Sequence, residues 1–145
     1  MKRYVVGFPI LPCRTGLSLI QKNRPDWQAG KWNGIGGKVE FGEKILDAMD
    51  REAEEEAGLG GLKWALVCNI TDSVNGYSVD FFAAFDLRAH GCRSRTDERV
   101  EFWPTRAVWE LPMVSSNVLV ALTLALDTSG ILKPVNMRAL WIPGG

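Results

Sequence analysis

The segment Gly37–Leu59, GKVEFGEKILDAMDREAEEEAGL, restricts what this chain can fold into more than any other. Leu46, Met49, Ala53 and Ala57 recur in it at helical spacing and share one side of the helix they imply. A helix with such a stripe must bury it against another layer, so the segment predicts a helix over about Lys44–Ala57, ended by Gly58 as a left-handed cap. At the margin of that helix stand Glu52 and Glu56, one turn apart, with Glu55 beside them, and their carboxylates can converge on one site. Like charges gathered in this way repel one another, and a cation among them removes the repulsion. An acidic helix face taken alone is ordinarily solvated surface, and Glu54 is read that way. The glycine-rich segment just ahead of the helix, Gly34-Ile35-Gly36-Gly37, argues for a site at the other three glutamates.

Ligand chemistry selects the cation. Clustered carboxylates with water suit Mg²⁺, with Mn²⁺ as a substitute, whereas Zn²⁺ takes nitrogen and sulfur. The chain has one histidine, His90, and its three cysteines, Cys13, Cys68 and Cys92, are not spaced as metal ligands. Because Mg²⁺ keeps waters and binds substrate phosphates, the acidic margin implies a phosphorylated substrate. The glycine segment reads as a turn. It lacks the third glycine of a dinucleotide fingerprint, and Val39 after Lys38 excludes a P-loop. What it offers is a bare backbone carbonyl.

Length and charge narrow the class. The 145 residues suffice for a single domain with one core. With 17 basic and 17 acidic residues there is no global field to hold nucleic acid. The odd, scattered cysteines point to reduced thiols and a cytoplasmic location. Met1-Lys2-Arg3 followed by Tyr4 to Cys13 faintly resembles a secretion leader, but Gly7, Pro9 and Pro12 interrupt it and it reads as a first strand. No stretch has the length to cross a bilayer. Strands are expected near Arg3–Phe8, Gly16–Lys22, Lys63–Asp72, Tyr77–Leu87 and Arg99–Trp103, with a short extended piece at Lys38–Phe41. Asn75-Gly76 marks a hairpin. A second helix is expected over about Ser116–Asp127, capped by Ser115 or Ser116, and Thr128–Gly145 as mostly loop. This order implies an α/β fold with a mixed sheet between helices.

Gly37, Glu43, Arg51, Glu52, Glu55, Glu56, Gly58 and Leu59 fit without a gap the pattern G-x5-E-x7-R-E-U-x-E-E-x-G-U, with U apolar. That pattern is the signature of the Nudix, or MutT-like, hydrolases, which the chain resembles, most specifically from about Lys31 to Leu59. Ala53 is the one soft departure, standing where the family has a larger aliphatic. The resemblance implies the Nudix fold, an α/β/α sandwich, and Mg²⁺-dependent hydrolysis of a nucleoside diphosphate linked to another group X. It implies Glu52 and Glu56 as principal metal ligands, Glu55 as a ligand or water-orienting base, and the Gly36 carbonyl completing the shell. Arg51 and Glu43 are expected to pair and hold the turn against the helix. A further acid arrives in the family from a loop outside this segment; Asp97, Glu98 and Glu101 are the candidates, and Glu98, five residues before Trp103, is favoured.

The run Gly30–Val39 is similar to the matching stretch of oxidised-purine nucleoside triphosphatases, in which the asparagine at the position of Asn33 contacts the base. An amide presents a donor and an acceptor together; the other use of Asn33 is to cap the turn. Lys38 is a further candidate for substrate binding. Trp27, Trp32, Trp103 and Trp109 are candidates for base stacking, Trp32 first, although tryptophans in a domain of this size mainly supply core area. Val74-Asn75-Gly76 stands where ADP-ribose hydrolases carry a proline, while Tyr77 fits dinucleoside polyphosphate hydrolases. The expected substrate is therefore a small-molecule nucleotide. A (deoxy)nucleoside triphosphate comes first, a dinucleoside polyphosphate second and capped RNA a distant third. No nucleic acid or membrane partner is expected, and the protein is expected to be a monomer or homodimer. A non-catalytic nucleotide-sensing module is the reading from a different class; it predicts broken acids in the segment.

Overall fold

The computed structural model describes residues 1–127 and the backbone of residues 135–139. Strands β1 (Lys2–Ile10), β2 (Gly16–Gln21), β3 (Trp32–Asn33) and β4 (Ile35–Lys38) precede helix α1 (Ile45–Ala57). Then follow β5 (Ala65–Asp72), β6 (Tyr77–Phe85), β7 (Val100–Pro104), the short helix α2 (Thr105–Val108), α3 (Ser116–Ala125) and β8 (Val135–Ala139). The strands form one mixed sheet in the order β3-β2-β1-β6-β5-β8, with β4 attached to β1 and β7 to β2. β1 runs parallel to β6 and antiparallel to β2 and β4.

The apolar run of β1 explains its central place. Val5, Val6, Phe8 and Ile10 are all buried, and alternate residues serve opposite faces. Val6, Phe8 and Ile10 pack with Phe81 and with Val118, Ala121 and Leu122 of α3. Val5 packs on the other face with Ile35, Phe82 and the α1 residues Ala48, Met49 and Ala53. Two cores, one on each side of the sheet, make the expected α/β/α sandwich. Gly58, at φ 68°, caps α1, and the Ser115 side chain caps α3 by accepting the Asn117 N–H.

Several local expectations are corrected. The glycine segment is the strand β4, not a turn: Gly36 is registered with Val6 and Gly37 with Val5. The extended piece expected at Lys38–Phe41 stops at Lys38, and a turn closed by the Glu43 N–H on the Glu40 carbonyl leads into α1. Leu46 is 56% exposed and Ala48 is buried instead, since an angular position fixes which way a side chain faces, not whether anything lies opposite. Asp72 is registered with Tyr77, so the Asn75-Gly76 hairpin has a longer loop than the dipeptide alone implies, and the Asp72 carboxylate accepts the Val74 and Asn75 N–H groups. Within the tail expected to be loop, β8 pairs in parallel with β5; the remainder of 128–145 lies outside the described residues. Among the described residues no helix is long and apolar enough to cross a membrane.

Candidate active site

Helix α1 crosses the open edge of β4, and this crossing sets the geometry. The Gly36 N–H donates to Glu56 Oε2 at 3.2 Å. In an antiparallel strand the N–H and C=O of one residue face the same edge, so the Gly36 carbonyl is directed to the edge that Glu56 occupies. One residue on, Gly37 leaves room for Glu52: a Cβ there would stand 2.5 Å from Glu52 Oε1. The bare backbone of β4 is what allows both carboxylates to lie against the strand.

Burial pushes Glu56 up to about 8, and the Glu52 carboxylate adds to the rise, partly offset by Lys22 and by the Gly36 N–H. Burial raises Glu52 as well, against hydrogen bonds from Arg51 and from the Glu56 carboxyl. Both carboxyls are thus pushed toward their neutral forms, and a donor set of carboxylate oxygens and a peptide carbonyl, with no nitrogen or sulfur, fits a hard divalent cation.

Arg51 organises the other acids. Its Nε and Nη2 donate to Glu43 at 2.7 and 3.0 Å in the expected bidentate pair. Its Nη1 donates to Glu52 at 2.9 Å and to Glu55 at 3.3 Å, while Nη2 also reaches the Lys38 carbonyl at 3.2 Å. The guanidinium, helped by the Glu40 N–H, holds Glu43 at about 2. Glu55 does not converge with its neighbours. It is 57% exposed and bonded to Arg51, so the site has a core of two carboxylates with a third acid at the solvent edge. Among the described residues no three acidic, histidine or cysteine side chains form a ready-made metal cluster.

Of the three late acids, Glu98 is the one beside this core. It is 5% exposed, accepts from Lys22 Nζ at 2.8 Å and from the Asn23 N–H at 2.6 Å, and its charge contributes to the rise of Glu56. Burial pushes Glu98 up, but Lys22 and the Asn23 N–H outweigh it and hold the carboxyl below its ordinary value. Asp97 is an exposed partner of Arg24, and Glu101 pairs with Arg99 at 3.1 Å.

A cleft of about 530 Å³ runs past Gly36 and Gly37 and is lined also by Lys22, Trp27, Asn33, Tyr77 and Asn117. The Asn33 Oδ1 accepts the Gly34 N–H at 2.8 Å, as the capping use expects, and the residue also lines the cleft. Trp32 does not line it. This residue is 3% exposed, edge-on to Trp103 at 5.3 Å, and belongs to the core. Trp27, 61% exposed, is the tryptophan on the cleft wall. Lys38 is exposed and borders a separate cavity of about 540 Å³ with Lys2 and Arg3. Sequence reasoning missed Lys22 and Asn117, which carry no local signature: one follows the last residue of β2, the other is the second residue of α3, and only folding brings them to one cleft.

The fold and site together define a class: an α/β/α domain whose helix carboxylates face a glycine strand beside a cleft. A family model described as "NUDIX domain" matches residues 1–115, and the chain belongs to that family. The "Oxidized purine nucleoside triphosphate hydrolase" of Danio rerio is 46% identical over 50 residues, 34% of this chain and 32% of that protein. The chain thus spans about a third of the length of the curated relatives it matches. A MutT structure from work on Aliivibrio salmonicida and Vibrio cholerae superposes with a TM-score of 0.71 at 22% identity, over 86% of this chain and 96% of that one. The NUDIX domain of Shewanella oneidensis NrtR, solved with ADP ribose, superposes with a TM-score of 0.72 at 17% identity, over 85% of this chain and 84% of that one. The shared architecture is the Nudix fold.

Proposed function

We propose that this protein hydrolyses the pyrophosphate linkage of a (deoxy)nucleoside triphosphate, oxidised purines included, with Mg²⁺ as cofactor, releasing the monophosphate and pyrophosphate. The observation that carries this reading is the half-buried Glu52–Glu56 pair lying against Gly36 and Gly37, whose strand lines a cleft of about 530 Å³. Glu52, Glu56 and the Gly36 carbonyl would hold the cation, with Glu98 joining them. The chemistry a divalent ion supplies there is activation of water and neutralisation of charge on the diphosphate. Glu55, at the solvent edge, orients the attacking water. Arg51 and Glu43 are positioning residues: by fixing β4 to α1 they hold Glu52 over Gly37. Asn33 reads the base and Trp27 covers it. The reading is supported by the similarity to the zebrafish oxidised-purine hydrolase.

Tyr77 on the cleft wall favours a dinucleoside polyphosphate as the second substrate class. We take the chain as one catalytic domain acting on free nucleotides in the cytoplasm, consistent with three unpaired cysteines. Phosphate and pyrophosphate release from a panel of nucleotides, with and without Mg²⁺, tests the proposal. Turnover of triphosphates that requires the metal supports it. Silence across dNTPs, oxidised dNTPs, dinucleoside polyphosphates and nucleotide sugars would convert the protein into a nucleotide-sensing module.

A further inference from the structure

Glu98 presents a contradiction that concerns the cation site. If it is to join Glu52 and Glu56 around a metal ion, that ion must approach a carboxylate already paired with the Lys22 ammonium, and the two positive charges repel. Oε1 accepts from Lys22 Nζ at 2.8 Å and Oε2 from the Asn23 N–H at 2.6 Å. A carboxylate 5% exposed cannot shed its partner without another positive charge to replace it. Lys22 is placed to be exchanged. Its side chain is 18% exposed, it lines the cleft together with Gly36 and Gly37, and its charge acts on Glu56 as well as on Glu98. Its chemistry suits exchange too, since an ammonium is a compact point charge on a flexible stem. Arg51 nearby is the opposite case, its guanidinium fork locked on Glu43 through two bonds.

We propose that Lys22 is a displaceable counter-ion, which neutralises Glu98 until a divalent cation binds and then turns into the cleft to meet the substrate phosphates. The inference rests on the cation site proposed above. It assigns Lys22 two successive partners and makes the lysine a competitor of the metal. An empty site is thereby kept from carrying an uncompensated buried charge. The same movement delivers a positive charge to the phosphate path only once the cation is in place.

The test is Mn²⁺ binding without nucleotide, followed by electron paramagnetic resonance. Lys22→Met should bind Mn²⁺ roughly tenfold or more tightly than wild type, because a competing unit charge is gone. Lys22→Arg should stay near wild type. Glu98→Gln should bind more weakly, and adding Lys22→Met to Glu98→Gln should give no gain. Wild-type affinity in Lys22→Met, or an equal gain with and without Glu98, would overturn the exchange. Absence of Mn²⁺ binding by wild type would overturn the cation site itself, which separates that failure from this one. Should Lys22→Met not fold, wild-type protein with ¹³C-methylated lysines decides the matter. The resonance missing from Lys22→Arg should shift as Mg²⁺ is added, and a resonance indifferent to Mg²⁺ would refute the displacement.

Discussion

Trp27 and Trp32 lie in the same connection between β2 and β4 and end on opposite sides of the solvent boundary, at 61% and 3% exposure. Trp27 forms part of the cleft wall, while Trp32 is packed edge-on against Trp103 in the core. Trp27→Ala should therefore raise KM several-fold with little change in melting temperature. Trp32→Ala should cost about 3–5 kcal/mol of stability, as removal of a large buried aromatic does. Steady-state kinetics beside thermal unfolding of both variants checks the assignment; a stability loss at Trp27 and a pure KM effect at Trp32 would reverse it.

Glu56→Gln keeps the size of the side chain and its contact with Gly36 but removes the charge. Turnover should fall by a factor on the order of 10² or more, with the circular dichroism spectrum unchanged. Rates within a few-fold of wild type would show that the cation shell is assigned to the wrong carboxylates.

The cation-free protein should lose stability as pH rises. Folded, Glu56 titrates near 8 against an ordinary 4.5, so between those values the native state holds a proton that the unfolded chain has released. Stability contributed in this way is present below the lower value and is lost as pH rises through the upper one. The melting temperature should therefore drop between about pH 4.5 and about pH 8, and Mg²⁺ or Glu56→Gln should flatten the drop. A flat profile for wild type without metal would refute the buried proton.

Arg51→Lys keeps the charge and loses the fork. One ammonium cannot serve Glu43, Glu52, Glu55 and the Lys38 carbonyl together. The expected cost is about 1–3 kcal/mol, with kcat reduced more than KM is raised because Glu52 loses its anchor. Chemical denaturation and kinetics on the same preparation measure both effects.

Asn33→Ala should change the ranking of purine against pyrimidine nucleotides more than it changes turnover of the best substrate, since the residue lines the cleft and is not one of the proposed cation ligands. An unchanged ranking would leave Asn33 with only its bond to the Gly34 N–H.

The periodic segment before Gly58 was legible as α1, and Glu52 and Glu56 as neighbours at its margin, because helical spacing is a property of consecutive residues. The Arg51–Glu43 pair was expected from the resemblance and from the fit of a guanidinium to a carboxylate, and Arg51 donates two bonds to Glu43. Gly34–Gly37 misled as a turn: glycine permits a turn, but pairing with β1 made it a strand, and that pairing joins residues far apart in sequence. Leu46 and Trp32 were misplaced because burial depends on what lies opposite.

The sequence by itself determined helix α1, its terminal glycine and the carboxylate oxygens along its margin, since these depend on residue type and short-range period. Only the tertiary structure decided that Glu55 turns outward, that Glu98 rather than Asp97 or Glu101 reaches the core, and that Lys22 covers it. Those outcomes depend on distances between separate elements and on how far each charge is removed from water, and neither quantity is encoded in any one segment.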